Sequence, residues 1–383
     1  MYLVTKQPKR YEQTVLWDKL LDDLLDTSAP KTAPYNPTNT RTYKIGNEWQ
    51  ALNEGRTIVN RLQALLVAFN ERYADLINRD LSDHYHHYKI PKHSGGLRDI
   101  NEPNARLKAA QNELKVLFEE EFGLLSHTSA YAYIKGRCTV DAVKKHQRNE
   151  SYWFLKTDFK DFFGSTTPEF VLSMFIKIWP FNGIWHAYGT DSIKSALSIC
   201  FLNGGLPQGS PISPLITNIM MVPIDHALFN SLRSFHCDGY DYSMVYTRYA
   251  DDMMISCRRD FPYQRVVELI NQVLTRFNAP FRLHPDKTKY TGRSWMLGVR
   301  ITQENKVSVG SKNRRRLEAM ICNFIADYKS GVRWTQEDLQ HVLGLISYYK
   351  MVEPENIGKM VSSLDGKFGV NSVHLLKKEV ALA

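Results

Sequence analysis

The chain has 383 residues, 43% of them apolar, which is enough for two or three globular domains with a substantial core. Its formal net charge of +9 favours a polyanionic partner. Five widely spaced cysteines without a Cys-x-x-Cys pair argue against a disulfide framework or a zinc site, and no signal-peptide core or membrane-length apolar run is present, so we expect a cytoplasmic protein with no membrane partner.

The first predicted elements are helical. Leucines at helical spacing predict a helix over residues 12–26, and a loop rich in Pro and Thr follows from 27 to 43. Apolar residues then recur every three or four positions over 47–79, which is typical of one or two amphipathic helices. Because neither segment carries a chemical motif, we assign residues 1–88 to a helical N-terminal extension.

The middle of the chain begins with a Gly-Gly turn and a short basic strand at 91–103, and a helix is predicted from Asn104. The segment 127–146 contains Tyr131-Ala-Tyr-Ile-Lys-Gly-Arg137. Phe154-Leu-Lys-Thr-Asp-Phe-Lys-Asp-Phe-Phe163 then predicts a buried strand that runs into Asp158 and a turn that ends at Phe163. Further along, Leu206-Pro-Gln-Gly-Ser-Pro-Ile-Ser-Pro-Leu-Ile-Thr-Asn218 predicts a Gly/Pro/Ser loop that opens an apolar helix.

Two adjacent carboxylates stand in Tyr246-Thr-Arg-Tyr-Ala-Asp-Asp-Met-Met-Ile-Ser256, at the tip of two short apolar strands. Neighbouring acids repel each other, and a divalent cation shared with a third carboxylate relieves that repulsion. Asp-Asp alone is also common in solvated turns, so the pair needs support from other motifs.

The C-terminal third starts with Phe281-Arg-Leu-His-Pro-Asp-Lys-Thr-Lys289, and Met296-Leu-Gly-Val-Arg-Ile301 reads as a hairpin. An amphipathic helix is predicted from Asn313 and a second helix over 340–349. The first of these is led by a basic cluster: Lys312, Arg314, Arg315 and Arg316.

The order Asp-x-x-x-x-Phe, Leu-Pro-Gln-Gly-Ser-Pro-x-Ser-Pro and Tyr-Ala-Asp-Asp resembles the reverse transcriptases, and the resemblance extends over roughly residues 90 to 350. It implies an α+β right-hand polymerase fold. Fingers and a palm with an antiparallel sheet would occupy residues 89–300, and a helical thumb would occupy 301–383.

The resemblance also implies the chemistry, in which a primer 3′-hydroxyl attacks a nucleotide α-phosphorus and pyrophosphate departs. By motif match Asp158 and Asp251 bridge two Mg²⁺ ions, with Mn²⁺ as an alternative. Asp252 is then an auxiliary ligand, and the backbone carbonyl of Phe159 is a further one.

For the incoming nucleotide, the resemblance implies that Arg98 closes over the triphosphate while Gln208 and Gly209 lie against the nucleotide. Phe163 takes the place of the family's bulky ring beneath the sugar, so a 2′-hydroxyl would collide with it and dNTPs are the expected substrates. A lysine belongs near the leaving pyrophosphate, and Lys287 and Lys289 are both candidates.

Nucleic-acid contacts are assigned by resemblance to Tyr249 and to the segment with Lys135 and Arg137, where Ala132 and Cys138 depart from the family's usual Gly and Ser. Cations at the start of the predicted thumb helix suit phosphates, and they are the cluster Lys312, Arg314, Arg315 and Arg316.

The subgroup follows by elimination. The loop Gln-Gly-Ser-Pro-Ile-Ser-Pro argues against the diversity-generating type, Met296-Leu-Gly298 replaces the Val-Thr-Gly usual in retron enzymes, and group II intron proteins continue into further domains. The chain therefore looks most like the defence-associated, or abortive-infection, enzymes. Such an enzyme is expected to act in antiphage defence with a structured non-coding RNA and a DNA product.

Other functions stay open. A retron enzyme making multicopy single-stranded DNA and a template-independent or protein-primed DNA polymerase are alternatives within the family. An RNA-templated RNA polymerase and a catalytically idle RNA-binding scaffold are alternatives outside it. Association of the chain with itself is also open.

Overall fold

The computed structural model of the protein describes residues 48–91, 95–122 and 126–382. The helix predicted at 12–26 and the loop at 27–43 lie outside these residues, so the predicted extension is described only from residue 48 onward.

Strands and short helices alternate through most of the chain, and helices alone follow residue 310. In chain order, the strands of the described residues are β1 (Tyr85–Pro91), β2 (Leu97–Pro103), β3 (Trp153–Lys160), β4 (Phe235–Cys237), β5 (Tyr240–Tyr242), β6 (Val245–Tyr249), β7 (Asp252–Cys257), β8 (Arg282–Leu283), β9 (Lys289–Thr291), β10 (Trp295–Met296), β11 (Val299–Ile301) and β12 (Val307–Ser308). The α-helices are α1 (Glu48–Arg72), α2 (Ala105–Phe122), α3 (Thr139–Arg148), α4 (Pro168–Phe175), α5 (Phe181–Tyr188), α6 (Asp191–Ser198), α7 (Ser213–Met220), α8 (Val222–Arg233), α9 (Tyr263–Arg276), α10 (Ser311–Lys329), α11 (Gln336–Val352), α12 (Pro354–Phe368) and α13 (Ser372–Leu382).

These elements confirm the predicted α+β class and most of the predicted segments. The strand expected before Asp158 is β3, the helix after the Gly/Pro/Ser loop is α7, and the Asp-Asp pair does lie at the end of a hairpin, β6–β7. The two helices expected near the C-terminus are α10 and α11. In the described part of the chain, no helix is both long and apolar enough to cross a membrane.

Packing divides the chain into two compact units. The first contains the described residues up to Thr128 together with Phe159–Leu228 and Leu269–Leu283. The second contains Ser129–Asp158, Phe229–Glu268 and the chain from His284 onward.

The first unit is mostly helical, and α1 packs against α5 and α6 within it. Val59, Leu62, Leu66 and Phe69 of α1 are all buried, as expected for the apolar face of an amphipathic helix. The helices cross closely because α5 carries Gly183, where an added Cβ would lie 2.5 Å from the Val59 side chain. This unit also holds the antiparallel hairpin β1–β2, whose register pairs Ile90 with Arg98 and Tyr88 with Ile100.

The second unit contains an antiparallel sheet in which β6, β7, β3 and β9 lie side by side. Its apolar residues form two clusters. One joins α3 and the sheet to β10, β11 and β12, and the other fills the space among α10 to α13. Helix α11 begins at Thr335, whose hydroxyl oxygen accepts a hydrogen bond from the Asp338 N–H (3.2 Å) and so caps the helix.

A buried histidine ties α3 to the sheet. His146 of α3 is fully buried, with Nδ1 at 2.6 Å from the Ser256 hydroxyl of β7 and Nε2 at 2.8 Å from the Thr247 hydroxyl of β6. Burial lowers the pKa of His146 to about 3, with a smaller contribution from the neighbouring charge of Lys145. The folded protein therefore holds this ring neutral.

This histidine should make the protein less stable in mild acid. Its folded pKa lies below the ordinary value of 6.5, so its contribution is complete above pH 6.5 and is lost as pH falls towards 3. Between pH 7 and pH 5 we expect it to lower the free energy of unfolding by about 2 kcal/mol. Urea unfolding at both pH values measures the loss, which should be smaller by that amount in His146→Asn.

The matched control is His341→Asn, which changes an exposed histidine of α11 and should leave the parent's pH dependence in place. Equal pH dependence in His146→Asn and the parent would show that the ring does not stay neutral in the folded state.

Candidate active site

The site begins with the register of three strands in the second unit. Asp252, the first residue of β7, lies opposite Tyr249 of β6 on one side and opposite Asp158 of β3 on the other. Side chains of directly opposed residues point to the same face of a sheet, about 5 Å apart at Cβ. Asp158 and Asp252 therefore share one face, and Asp251 precedes Asp252 in the turn.

Acids brought so close are costly to ionise together. Burial, together with the charges of Asp251 and Asp158 and against a lowering by Lys287, raises the pKa of Asp252 to about 6. Asp252 keeps solvent-accessible surface, yet enough protein surrounds its carboxyl group to produce this shift. Asp158 itself is only 4% exposed.

Lys287 supplies a positive charge to this group. Lys287 follows β8 in the chain. Between them, the His284 N–H donates a hydrogen bond of 2.8 Å to the Asp158 carbonyl oxygen. The Lys287 ammonium then donates to Asp158 Oδ2, and this hydrogen bond raises the pKa of Lys287. Of the two lysines left open by the sequence, Lys287 is the one in contact with Asp158.

A cavity of about 250 Å³ surrounds these groups, and its lining is entirely from the second unit: Thr157, Asp158, Asp252, Asp286, Lys287 and Lys289. A larger cavity of about 530 Å³ lies in the first unit beside α4 and the end of α9, and its lining residues are different from the predicted catalytic ones. We take the smaller cavity as the site because it contains the opposed acids.

The donor set fits a hard divalent cation. Asp158 Oδ1 is buried without a hydrogen-bond partner, and the neighbouring donors are carboxylate oxygens, which Mg²⁺ and Mn²⁺ prefer. Within the described residues, however, no three His, Cys, Asp or Glu side chains are already arranged as a metal site. The Lys287 ammonium lies against Asp158 Oδ2, beside the buried Oδ1.

Lys156 was missed by the sequence analysis. It lies two residues before Asp158 in β3, and its ammonium donates to the Ser294 hydroxyl and to the Trp295 carbonyl oxygen, both at 2.6 Å. Burial, with the charge of Lys289, lowers the pKa of Lys156 to about 8. A lysine directly after the apolar run Trp153–Leu155 was the available signal. Its contacts fix β10 to the strand that carries Asp158.

Two of the predicted nucleotide-binding residues of the first unit, Gln208 and Gly209, lie against β2. The Asn101 N–H of β2 donates to the Gln208 carbonyl oxygen (2.7 Å), and a Cβ on Gly209 would lie 2.7 Å from the Asn101 carbonyl oxygen. Only glycine tolerates that approach together with its φ of +113°. Arg98 is exposed on the same strand, on the face shared with Ile100.

A backbone hydrogen bond connects Phe163 to the start of this loop. Its carbonyl oxygen accepts from the Leu206 N–H at 2.9 Å, which joins the turn after β3 to the start of the Gln208–Gly209 loop. The ring is half-buried and meets Phe162 edge-on. Phe159 is buried, with its ring packed against Phe162 and Phe281.

The predicted nucleic-acid contacts divide into exposed and inward-facing groups. Lys135, Lys312, Arg315 and Arg316 are exposed, and Tyr249 is half-buried on β6. Arg137 is half-buried, with its guanidinium donating to the Ala130 carbonyl oxygen at 2.6 Å and lying over the Tyr131 ring. This contact gives Arg137 a structural role within its own segment.

Arg314 also faces inward, and its assignment to phosphate binding stays a prediction. Its guanidinium donates to the buried carboxylate of Glu353 at 2.7 Å. Burial alone would raise the pKa of Glu353, but hydrogen bonds from Ser308, Asn356 and the Val309 N–H, with the Arg314 charge, lower it. The exposed cluster at the start of α10 therefore consists of Lys312, Arg315 and Arg316.

The sequence is similar to known polymerases over most of its length. The family model described as reverse transcriptase (RNA-dependent DNA polymerase) matches residues 90–346. Retron Ec83 reverse transcriptase of Escherichia coli is 28% identical over 308 residues, covering 77% of this chain and 90% of the relative. Retron Mx65 reverse transcriptase of Myxococcus xanthus is 26% identical, covering 74% and 64%.

Among solved structures, apo telomerase from Candida tropicalis has a TM-score of 0.45 at 12% identity, covering 85% of this chain and 67% of that one. Telomerase from Candida albicans with a fragment of telomeric RNA has a TM-score of 0.41 at 11% identity, covering 82% and 63%.

The contact between Arg314 and Glu353 should matter for stability. Arg314→Met leaves a buried carboxylate without its charged partner, so we expect the free energy of unfolding to fall by about 2 kcal/mol. Arg315→Met removes the same charge from the neighbouring exposed position and should change it by less than about 0.5 kcal/mol. Urea unfolding of both variants checks the difference, and equal effects would contradict the inward position of Arg314.

Proposed function

The chain belongs to the reverse transcriptase family, the RNA-dependent DNA polymerases, and from that premise we propose how its residues carry out DNA synthesis and which RNA it uses. The observation that carries the proposal is the register that sets Asp158 opposite Asp252, beside Asp251, in a cavity that also holds Lys287. The proposal keeps residues 89–300 as fingers and palm and residues 301–383 as a thumb in the right-hand polymerase fold.

Asp158 and Asp251 would hold two Mg²⁺ ions, with Asp252 and the Phe159 carbonyl as further ligands. Such ions, when bound, polarise the α-phosphate and lower the pKa of the attacking 3′-hydroxyl. The chain's own contribution is position and charge: β3 and the β6–β7 hairpin fix the acids, and their negative charge offers the ions a binding site. Lys287 is cationic and 60% exposed at its side chain, and it would turn from Asp158 towards a departing pyrophosphate.

Nucleotide selection would belong to the first unit. Arg98 would meet the triphosphate, and a base would approach Gln208 and Gly209, whose close contact with β2 supports this because only glycine fits there. Phe163, tied to the same loop through Leu206, would exclude a 2′-hydroxyl and so select dNTPs.

The RNA partner is proposed from the relatives and the charge. Retron reverse transcriptases of Escherichia coli and Myxococcus xanthus match most of this chain, although Met296-Leu-Gly298 replaces the Val-Thr-Gly usual in retron enzymes. These relatives favour the retron alternative over the defence-associated, or abortive-infection, type. We therefore propose a structured non-coding RNA as template and partner, with Lys312, Arg315 and Arg316 on its phosphates. A role in antiphage defence belongs to the same proposal.

DNA synthesis should depend on Asp251. Asp251→Asn keeps the shape of the side chain but removes the charge that holds a divalent ion, so we expect dNTP incorporation to fall by more than about 10³-fold while RNA binding and folding persist. Primer extension with a radiolabelled dNTP measures the loss. Asp241→Asn, at an exposed position of β5, serves as the control and should retain the parent's rate. Incorporation by Asp251→Asn within tenfold of the parent would overturn the assignment.

The protein isolated from its host should carry one dominant RNA. Because cations that bind phosphates release counterions, affinity for that RNA should fall steeply with salt, and removing one such cation should flatten the log–log slope by about 0.7 to 0.9. We expect Arg315→Met with Arg316→Met to weaken binding and flatten the slope, whereas Arg333→Met, exposed just after α10, should not. Sequencing of the bound RNA and filter binding at several salt concentrations check this. Heterogeneous RNA bound equally by all variants would favour a template-independent polymerase.

A further inference from the structure

Arg248 is an arginine with no solvent exposure in the hairpin that ends at the acids. A guanidinium stays charged at any physiological pH, so burying one is costly unless hydrogen bonds and charges satisfy it. The sequence does not indicate that this arginine is buried, because a Tyr-Thr-Arg-Tyr strand does not show which way its arginine faces. A buried arginine at this position calls for a local reason.

A hydrogen bond to the turn formed by Ala250 and Asp251 supplies that reason. Arg248 Nη1 donates to the carbonyl oxygen of Ala250 at 2.9 Å, and that carbonyl belongs to the peptide that leads directly into Asp251. Both Arg248 and Ala250 are buried. The side chain thus folds forward along its own strand to hold the backbone two residues ahead.

The backbone it holds is in an unfavourable conformation. Ala250 has a φ of +58°, in the left-handed region where a Cβ crowds the following carbonyl. The β6 and β7 register leaves Ala250 and Asp251 as a two-residue turn, and such turns prefer glycine where φ is positive. A strained residue of this kind persists only where its surroundings impose the conformation.

The backbone of Arg248 is itself anchored from the other side. Its N–H donates to the Ser129 carbonyl oxygen at 2.7 Å, and its carbonyl oxygen accepts from the Tyr131 N–H at 2.9 Å. Arg137 in turn donates to the carbonyl oxygen of Ala130, which lies between them. The backbone of Arg248 is therefore held in place while its side chain contacts the turn.

We propose that Arg248 is a positioning residue that imposes the left-handed conformation of Ala250 and thereby fixes the direction of the Asp251 carboxylate. The inference rests on the proposed catalytic role of Asp251. Without the guanidinium, Ala250 relaxes towards negative φ and Asp251 turns away from Asp158. Glycine at position 250 would tolerate the same backbone without help.

The test is a second-site rescue. In Arg248→Lys the shorter side chain carries one ammonium in place of the planar fork, so the hydrogen bond to Ala250 is broken or misdirected. We expect kcat for dNTP incorporation to fall by about 10²-fold, the scale of a small misplacement of a reacting group, with the dNTP KM nearly unchanged. Adding Ala250→Gly should recover at least tenfold of the lost kcat.

A second variant in the same experiment changes Ala250 and leaves Arg248 in place. Ala250→Val puts a β-branched residue at positive φ, where it is strongly disfavoured, and should lower kcat with Arg248 intact. This arm keeps the inference testable if Arg248→Lys fails to fold. Arg258→Met, which changes an exposed arginine of the same unit that contacts the Asn149 carbonyl oxygen, is the matched control and should keep the parent's kcat.

The outcomes separate cleanly. If Arg248 only supports the fold, the loss of kcat will follow the loss of folded protein in urea unfolding, and Ala250→Gly will not restore it. If Arg248→Lys and Ala250→Val both keep the parent's kcat while Asp251→Asn is inactive, the positioning role is wrong and the proposed function stands. An active Asp251→Asn would instead remove the proposed function on which the inference rests.

Discussion

The repulsion among Asp158, Asp251 and Asp252 is the constraint on which the rest of the site depends. Strand pairing brings two of these acids directly opposite each other, and burial, with the charges of Asp251 and Asp158, raises the pKa of Asp252. A nearby cation stabilises carboxylates that are held this close together. In this structure the cation is Lys287, which donates a hydrogen bond to Asp158 and whose pKa is raised by that contact. The divalent ions proposed for this site would answer the same negative charge that Lys287 now meets.

Local sequence patterns predicted much of the fold and of this site. The strand into Asp158, the Asp-Asp hairpin and the helices near the C-terminus were all expected, because each is encoded by neighbouring residues whose spacing sets which side chains are buried. The order of the three motifs then identified the family. Residues 1–47, where a further helix was expected, are not described.

What the sequence could not predict was the direction of polar side chains whose partners are distant. Arg314, Arg315 and Arg316 are alike in sequence, yet only Arg314 meets Glu353, which lies 39 residues further along the chain. Lys156 finds Ser294 and Trp295 across a separation of 138 and 139 residues. A charge pattern cannot distinguish a cation that binds phosphate from one that joins two elements, because the difference is made by tertiary packing.

These polar contacts specify direction, which apolar packing does not. The apolar clusters of the second unit stabilise it without specifying direction, since the hydrophobic effect is non-directional. His146 sets α3 against β6 and β7, and Lys156 sets β10 against β3, each through hydrogen bonds of defined geometry. Phosphoryl transfer requires little covalent chemistry from the protein and depends on position. The contacts of His146 and Lys156 therefore fix the strands that carry the proposed catalytic acids.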